Sequence, residues 1–301
     1  MSSGHVDAHV HLWDPGRFTY PWLTGVAGLD RPFLAPDLLA ATRSAGAPPA
    51  GVVVVEADRL PRQARAEAEW VLAASTPELP VLGVVAHVPF GAAAGAAGAP
   101  DDPADLPDPA GLAGLVGARR LLQDEPPGFL TRPDVVTAVA AIGARGLPFD
   151  VCVRSRQLPE VVELVRRLPD VEFVLDHLGK PRISPDAHGP WAEDLRRLAA
   201  LPNVRCKLSG LATEADPDHR TAADLLPFLR HALDVFGPGR CLFGSDWPVL
   251  TLATTYEHWL HVVLEAVGDL DGAERDLVMR GTAVATYTRP LATTTAGRRC
   301  S

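Results

Sequence analysis

Eight short apolar runs, nearly all separated by helix-type segments, constrain the fold of this chain more than any other feature of the sequence. They occupy residues 6–12, 51–57, 81–88, 114–122, 148–153, 171–179, 203–210 and 240–248. Runs such as GVVVV are apolar at consecutive positions, so both faces of each strand must be covered, which is the pattern of a parallel sheet. Helices are expected at 37–45, 62–75, 133–145, 159–168, 190–201, 221–236 and 255–267, with an extra C-terminal helix at 273–287. Eight strand–helix units within 301 residues predict one α/β domain, a (β/α)8 TIM barrel over residues 1–291. A doubly wound open sheet is the competing arrangement, but no GxGxxG follows the first strand. Residues 91–109, rich in Ala, Gly, Pro and Asp, read as a loop with at most one short helix, and 292–301 as a disordered tail.

A barrel of this kind gathers the carboxyl ends of its strands at one mouth. Read in order, those ends carry His9 and His11, Glu56, His87, Arg119, Arg154, His177, Lys207 and Asp246. Because strand side chains alternate, His9 and His11 point the same way and form a natural chelate for a divalent metal; filling the mouth by hydrogen bonding is the plain alternative. Asp246, in GSDWP, faces the first strand once the barrel closes. It can ligate a metal, accept a proton from an attacking water, or do both; capping the next turn is its structural alternative. His177, in VLDHLGKP, suits polarising a carbonyl or orienting water, whereas Asp176 beside it is expected on the opposite face, paired with an arginine or capping a helix. His5 reads as part of a frayed terminus.

Arg119, Arg154 and Lys207 are candidates for holding substrate oxygens or a carboxylate, with Glu56 and His87 as further rim contacts. The chain has only two lysines among its 28 basic residues, Lys180 and Lys207, and both fall in strand-end segments. Trp22, with Trp13, Tyr20, Trp191 and Trp247, flanks the expected mouth and can stack on an apolar sugar face or simply pack.

A net charge of −9 with no basic stripe argues against nucleic-acid or anionic-membrane partners. No apolar run approaches the roughly 20 residues of a membrane span. The start MSSGHVDAH lacks a basic region followed by an apolar one, so a cytoplasmic protein is expected. Cys152, Cys206, Cys241 and Cys300 form no CxxC pair and read as free thiols, not as a zinc site. No GxSxG elbow supports a serine hydrolase.

The segments VDAHVHLWDP, YPWL, RRLLQDEPPGFL, PFDVCVRSRQLPE, FVLDHLGKP, NVRCKLSGLATEADP and CLFGSDWPV run nearly end to end through the chain. In these it resembles the amidohydrolase-related (amidohydrolase 2) branch of the metal-dependent hydrolases, within the sugar-lactonase group of L-fuconolactonase- and L-rhamnonolactonase-like proteins. The resemblance implies a (β/α)8 barrel that hydrolyses a cyclic ester, with a small lactone as partner; a homodimer is one assembly open to the chain. It further implies one divalent metal ion, zinc foremost and dispensable in some lactonases of the branch, held by His9 and His11 with Asp246. Asp246 and His177 would then be catalytic. The wider superfamily often carries a bridging carboxylated Lys or Glu on strand four and a His on strand five. Arg119 and Arg120, then Arg154, stand there in this chain, which disfavours a binuclear centre. Glu56 stands where a Gln is expected and AHVPF where a GWVDL-like stretch is, leaving the lactone's identity open. Decarboxylation of an aromatic acid, and non-catalytic binding of a sugar acid, are the alternative functions.

Overall fold

Strand order follows chain order. The computed structural model describes residues 4–88, 112–184 and 188–288. Within them, β1 (Val6–Val10), β2 (Gly51–Val55), β3 (Val81–His87), β4 (Leu115–Leu121), β5 (Phe149–Cys152), β6 (Phe173–Leu175), β7 (Val204–Leu208) and β8 (Cys241–Phe243) pair successively in parallel. Backbone bonds close the ring: Asp246 N–H donates to the His9 carbonyl at 2.8 Å, and His11 N–H to that of Trp247 at 2.7 Å. The (β/α)8 barrel expected from the alternation is therefore the fold.

Helices α1 (Ala35–Ser44) and α2 (Ala64–Leu72) follow β1 and β2; α3 (Pro133–Ala144), α4 (Leu158–Arg167), α5 (His188–Ala199), α6 (Ala222–Phe236) and α7 (Tyr256–Ala266) follow β4 to β8. The loop expected at 91–109 and the tail expected at 292–301 lie outside the described residues. The C-terminal helical run consists of α8 (Gly272–Asp276), a π-type turn (Leu277–Gly281) and α9 (Thr282–Tyr287). Among the described residues, no helix is long and apolar enough to cross a membrane.

Two apolar layers result from the two-residue period of the strands. Val52 and Val54 of β2 join the layer between barrel and helices, with Leu38 of α1 among its members. Val53 and Val55 belong to a smaller cluster inside the barrel with Val6, Ala8, Val85, Val174 and Leu242. Ala283 and Tyr287 of α9 belong to that inner cluster, so the C-terminal helix closes the barrel at the end opposite the mouth. With apolar packing below, the polar strand ends are confined to the upper half.

Candidate active site

The site starts from an irregularity in β1. Between Asp7 and Val10 the pairing with β2 shifts, with Asp7 opposite Val52 and Val10 opposite Val54, so β1 carries one extra residue there. The bulge reverses the alternation. Asp7 is left on the helix side, where its carboxylate accepts from Tyr256 Oη of α7 at 3.0 Å and from the Ser245 backbone N–H at 2.9 Å. His9 and His11 turn inward. By clamping Ser245, Asp7 also places the next residue, Asp246, whose left-handed backbone (φ 63°) aims its carboxylate at the two imidazoles.

His9 Nε2 and His11 Nε2 lie 3.2 Å apart, with Asp246 Oδ1 3.3 Å from His11 Nε2 and 3.7 Å from His9 Nε2. Tetrahedral ligands on bonds of about 2.1 Å stand roughly 3.4 Å from one another, so the spacing matches a single divalent ion. The donor chemistry fits as well. His11 Nδ1–H donates to the Val55 carbonyl at 2.8 Å, which leaves Nε2 as a bare acceptor. Behind His9, the buried Asp176 Oδ1 is 3.3 Å from Nδ1 and 3.0 Å from Lys207 Nζ. His9, His177 and Asp246 also offer ligand atoms within 4.8 Å of one another.

His177 follows β6 after the strand has ended. Its backbone and that of Leu178 are left-handed (φ 54° and 55°), so strand alternation no longer applies to residues 176–178. Asp176 and His177 consequently both reach the interior, Asp176 pairing with Arg119 at 3.4 Å and Lys207 at 3.0 Å. The expected arginine partner is present, but the opposite face is not. His177 Nδ1 is 2.8 Å from Ser209 Oγ. Burial lowers its pKa to about 4, against the raising effect of Asp246 and Asp176, so the ring is neutral at pH 7. Burial acts to raise the Asp246 carboxyl, but the histidines around it prevail and hold it well below the ordinary range, ionised.

The mouth is a cavity of about 540 Å³. His11, His177 and Asp246 lie in its wall together with Trp22, Arg119 and Lys180. The family signature described as Amidohydrolase (Amidohydro_2) matches residues 6–289. The chain belongs to the Amidohydro_2 family. Similar proteins include an L-fucono-1,5-lactonase of Burkholderia multivorans, 35% identical over 96% of this chain and 98% of that protein. An L-rhamnono-gamma-lactonase of Scheffersomyces stipitis is 28% identical over 53% and 54% of the two chains. A crystal structure of an amidohydrolase from Burkholderia multivorans with bound zinc superposes with a TM-score of 0.79 at 33% identity, covering 95% of this chain and all of that one.

The other expected contacts are distributed unevenly. Trp22, tied by Nε1–H to the Ala57 carbonyl at 2.8 Å, and Arg119 lie in the cavity wall. Glu56 is buried behind Arg119, which reaches it at 2.8 Å, with Arg59 3.5 Å away. Burial would raise Glu56, but the two guanidinium groups overcome it and hold the carboxyl at about 2. His87 sits 3.9 Å from Glu56 and is not among the wall residues. Lys207 is fully buried beneath His9 and Asp176, out of reach of a molecule in the cavity. Arg154 stands in a neighbouring groove with Arg156, Lys180 and Arg182, 3.5 Å from Asp124 and 3.9 Å from Glu214. His5 is not frayed: it is 8% exposed, with Nε2 2.9 Å from Tyr256 Oη.

The wall also contains Asp58, Gln123, Asp124, Glu125 and Cys152, none of which strand-end reasoning selected. Gln123, Asp124 and Glu125 come from the β4–α3 loop, and Asp58 has φ 54° just beyond β2. The QDEPP segment, polar residues ahead of consecutive prolines, was the available signal: a loop at a strand's carboxyl end is where a barrel places its contacts.

Proposed function

We propose that this protein opens a sugar lactone by attack of water on the ring carbonyl, with Asp246 as general base. The observation that carries the reading is the meeting of ionised Asp246 and neutral His177 in one cavity wall, beside the His9–His11 pair. The lactonases similar to this chain support the choice of cyclic ester. Asp58, Asp124, Glu125 and Gln123 offer acceptors for substrate hydroxyls, Lys180 offers a donor, and Trp22 offers a ring for an apolar sugar face.

The roles in this reading are as follows. Asp246 takes one proton from water as the oxygen bonds to the carbonyl carbon. With the Ser209 hydroxyl donating to Nδ1, His177 Nε2–H faces the cavity and donates to the developing oxyanion. Collapse breaks the bond from the carbonyl carbon to the ring oxygen, which takes the proton held on Asp246, and an open-chain hydroxy acid results. His9, His11 and Asp246 would hold a divalent ion, zinc being our assignment, whose chemistry is Lewis-acid activation of water and carbonyl.

The test is a panel of aldonolactones and aromatic acids offered to metal-analysed protein, with acid release followed by a pH indicator and carbon dioxide measured in parallel. Acid release from aldonolactones, reduced at least about 10³-fold by Asp246→Asn with the fold intact, is expected. Carbon dioxide release in its place, or near-normal rates in that variant, refutes the reading.

A further inference from the structure

His9 Nδ1 has a donor and an acceptor at almost equal range, Lys207 Nζ at 3.2 Å and Asp176 Oδ1 at 3.3 Å. A neutral imidazole carries one proton, so it cannot bond to both through that nitrogen. Lys207 is anchored from below. Its ammonium donates to Asp150 Oδ2 at 2.5 Å, and Tyr287 Oη stands 2.9 Å from both oxygens of Asp150. Asp150, Lys207 and Tyr287 are all buried, so an unbroken polar column climbs from the C-terminal helix through the barrel to His9.

The column has two self-consistent settings. If Lys207 donates to Nδ1, the His9 proton is on Nε2 and faces His11 Nε2 at 3.2 Å, an acceptor because its own Nδ1–H is bonded to Val55. The three ammonium hydrogens of Lys207 then serve Asp150, Asp176 Oδ1 and His9 Nδ1, at 2.5, 3.0 and 3.2 Å. If instead Nδ1–H donates to Asp176, Nε2 is bare and the His9–His11–Asp246 triangle is ready for a cation. Arg119 Nη1, 3.4 Å from Asp176 Oδ2 and 3.5 Å from His9 Nε2, donates to the carboxylate in the first setting and can also donate to the bare Nε2 in the second. A buried Lys–Asp pair contributes little net stability over an apolar pair, because desolvation offsets the attraction. What this pair adds is a donor under His9.

We propose that Lys207, held by Asp150 and Tyr287, is a positioning residue that sets the His9 tautomer and thereby restrains cation binding by the triangle. The inference rests on reading that triangle as a metal site. Its test does not depend on lactone hydrolysis.

The double variant K207M/D150N removes both charges of the pair and leaves Asp176 its partner Arg119. In chelator-treated protein, ¹⁵N-histidine NMR is expected to find the His9 proton on Nε2 in the wild type and on Nδ1 in the double variant. Zinc affinity, measured by competition with a chromophoric chelator, should rise about tenfold, the scale of effects from groups behind a metal ligand. General damage to the site would weaken zinc binding. Tyr287→Phe keeps the ring in the inner core; Asp150, without its hydroxyl donor, then draws Lys207 from His9, giving a smaller change in the same direction. That variant carries both measurements if the double variant does not fold. An unchanged His9 tautomer, or weaker zinc binding, overturns the proposal. A wild type that binds no zinc overturns the metal reading, and the tautomer comparison then decides the role of Lys207 by itself.

Discussion

Gly210 supports the active site from behind, and Gly210→Ala makes the sharpest test of how closely His177 must be placed. A Cβ built at Gly210 would lie 2.4 Å from His177 Nδ1, 2.7 Å from His177 Cγ and 3.1 Å from Asp246 Oδ2. Ordinary contact begins at 3.4 Å, so the imidazole must retreat by about 1 Å and lose its bond to Ser209. A misplacement of about 1 Å at a catalytic group lowers turnover about 100-fold. The backbone opposes the substitution too. Gly210 has φ +60°, a conformation costing an alanine about 1 kcal/mol, and overpacking adds about 1–3 kcal/mol. We expect kcat for lactone hydrolysis to fall about 100-fold and urea unfolding to show a loss of about 2–4 kcal/mol. Ser209→Ala, which removes the hydroxyl without adding bulk, should lower kcat with little loss of stability. A Gly210→Ala enzyme within twofold of the wild-type kcat would show that the position of His177 does not govern the reaction.

Arg119→Met leaves Glu56 buried with only the more distant Arg59, and should lower stability by about 3–5 kcal/mol in urea titrations; a loss under 1 kcal/mol contradicts the pairing. Lys180→Met, altering a wall residue whose ammonium is 2.6 Å from Gln123 Oε1, should raise KM about tenfold while kcat changes little. Arg154→Ala, outside that wall, should leave both within twofold in the same steady-state assay; a large rise in KM would put Arg154 back among the substrate contacts. Burial lowers His5 from 6.5 to about 4, so it stays neutral in the folded protein while the unfolded chain takes up a proton below 6.5. Its contribution is complete above pH 6.5 and lost as pH falls toward 4, at most about 3 kcal/mol. Burial raises Asp7 to about 6, an effect of opposite sign, so the comparison must be between wild type and His5→Gln across that window. The stability of the wild type relative to the variant should rise with pH from about 4 to 6.5; identical profiles refute the assignment.

The barrel was legible in the sequence because each of its causes is local. Consecutive apolar residues force a strand to be covered on both faces, helical segments supply the cover, and closure then brings the two ends of the chain together. That reasoning reached His9, His11, His177 and Asp246, all residues near strand ends. It misplaced Lys207, Glu56 and Asp176 for one reason: position along a strand says how high a side chain sits, not whether another lies above it. Lys207 is roofed by His9 and Asp176, and Glu56 is set behind Arg119.

What the sequence determined by itself was therefore the ring of strands and which residue types gather near its mouth. The tertiary structure decided which of them face one another. Adding one residue to β1 turns Asp7 outward and His9 inward, and three left-handed residues, His177, Leu178 and Asp246, aim side chains where simple alternation would not. Bulges and left-handed turns have no local signature strong enough to read here, because neighbouring strands and helices hold them in place.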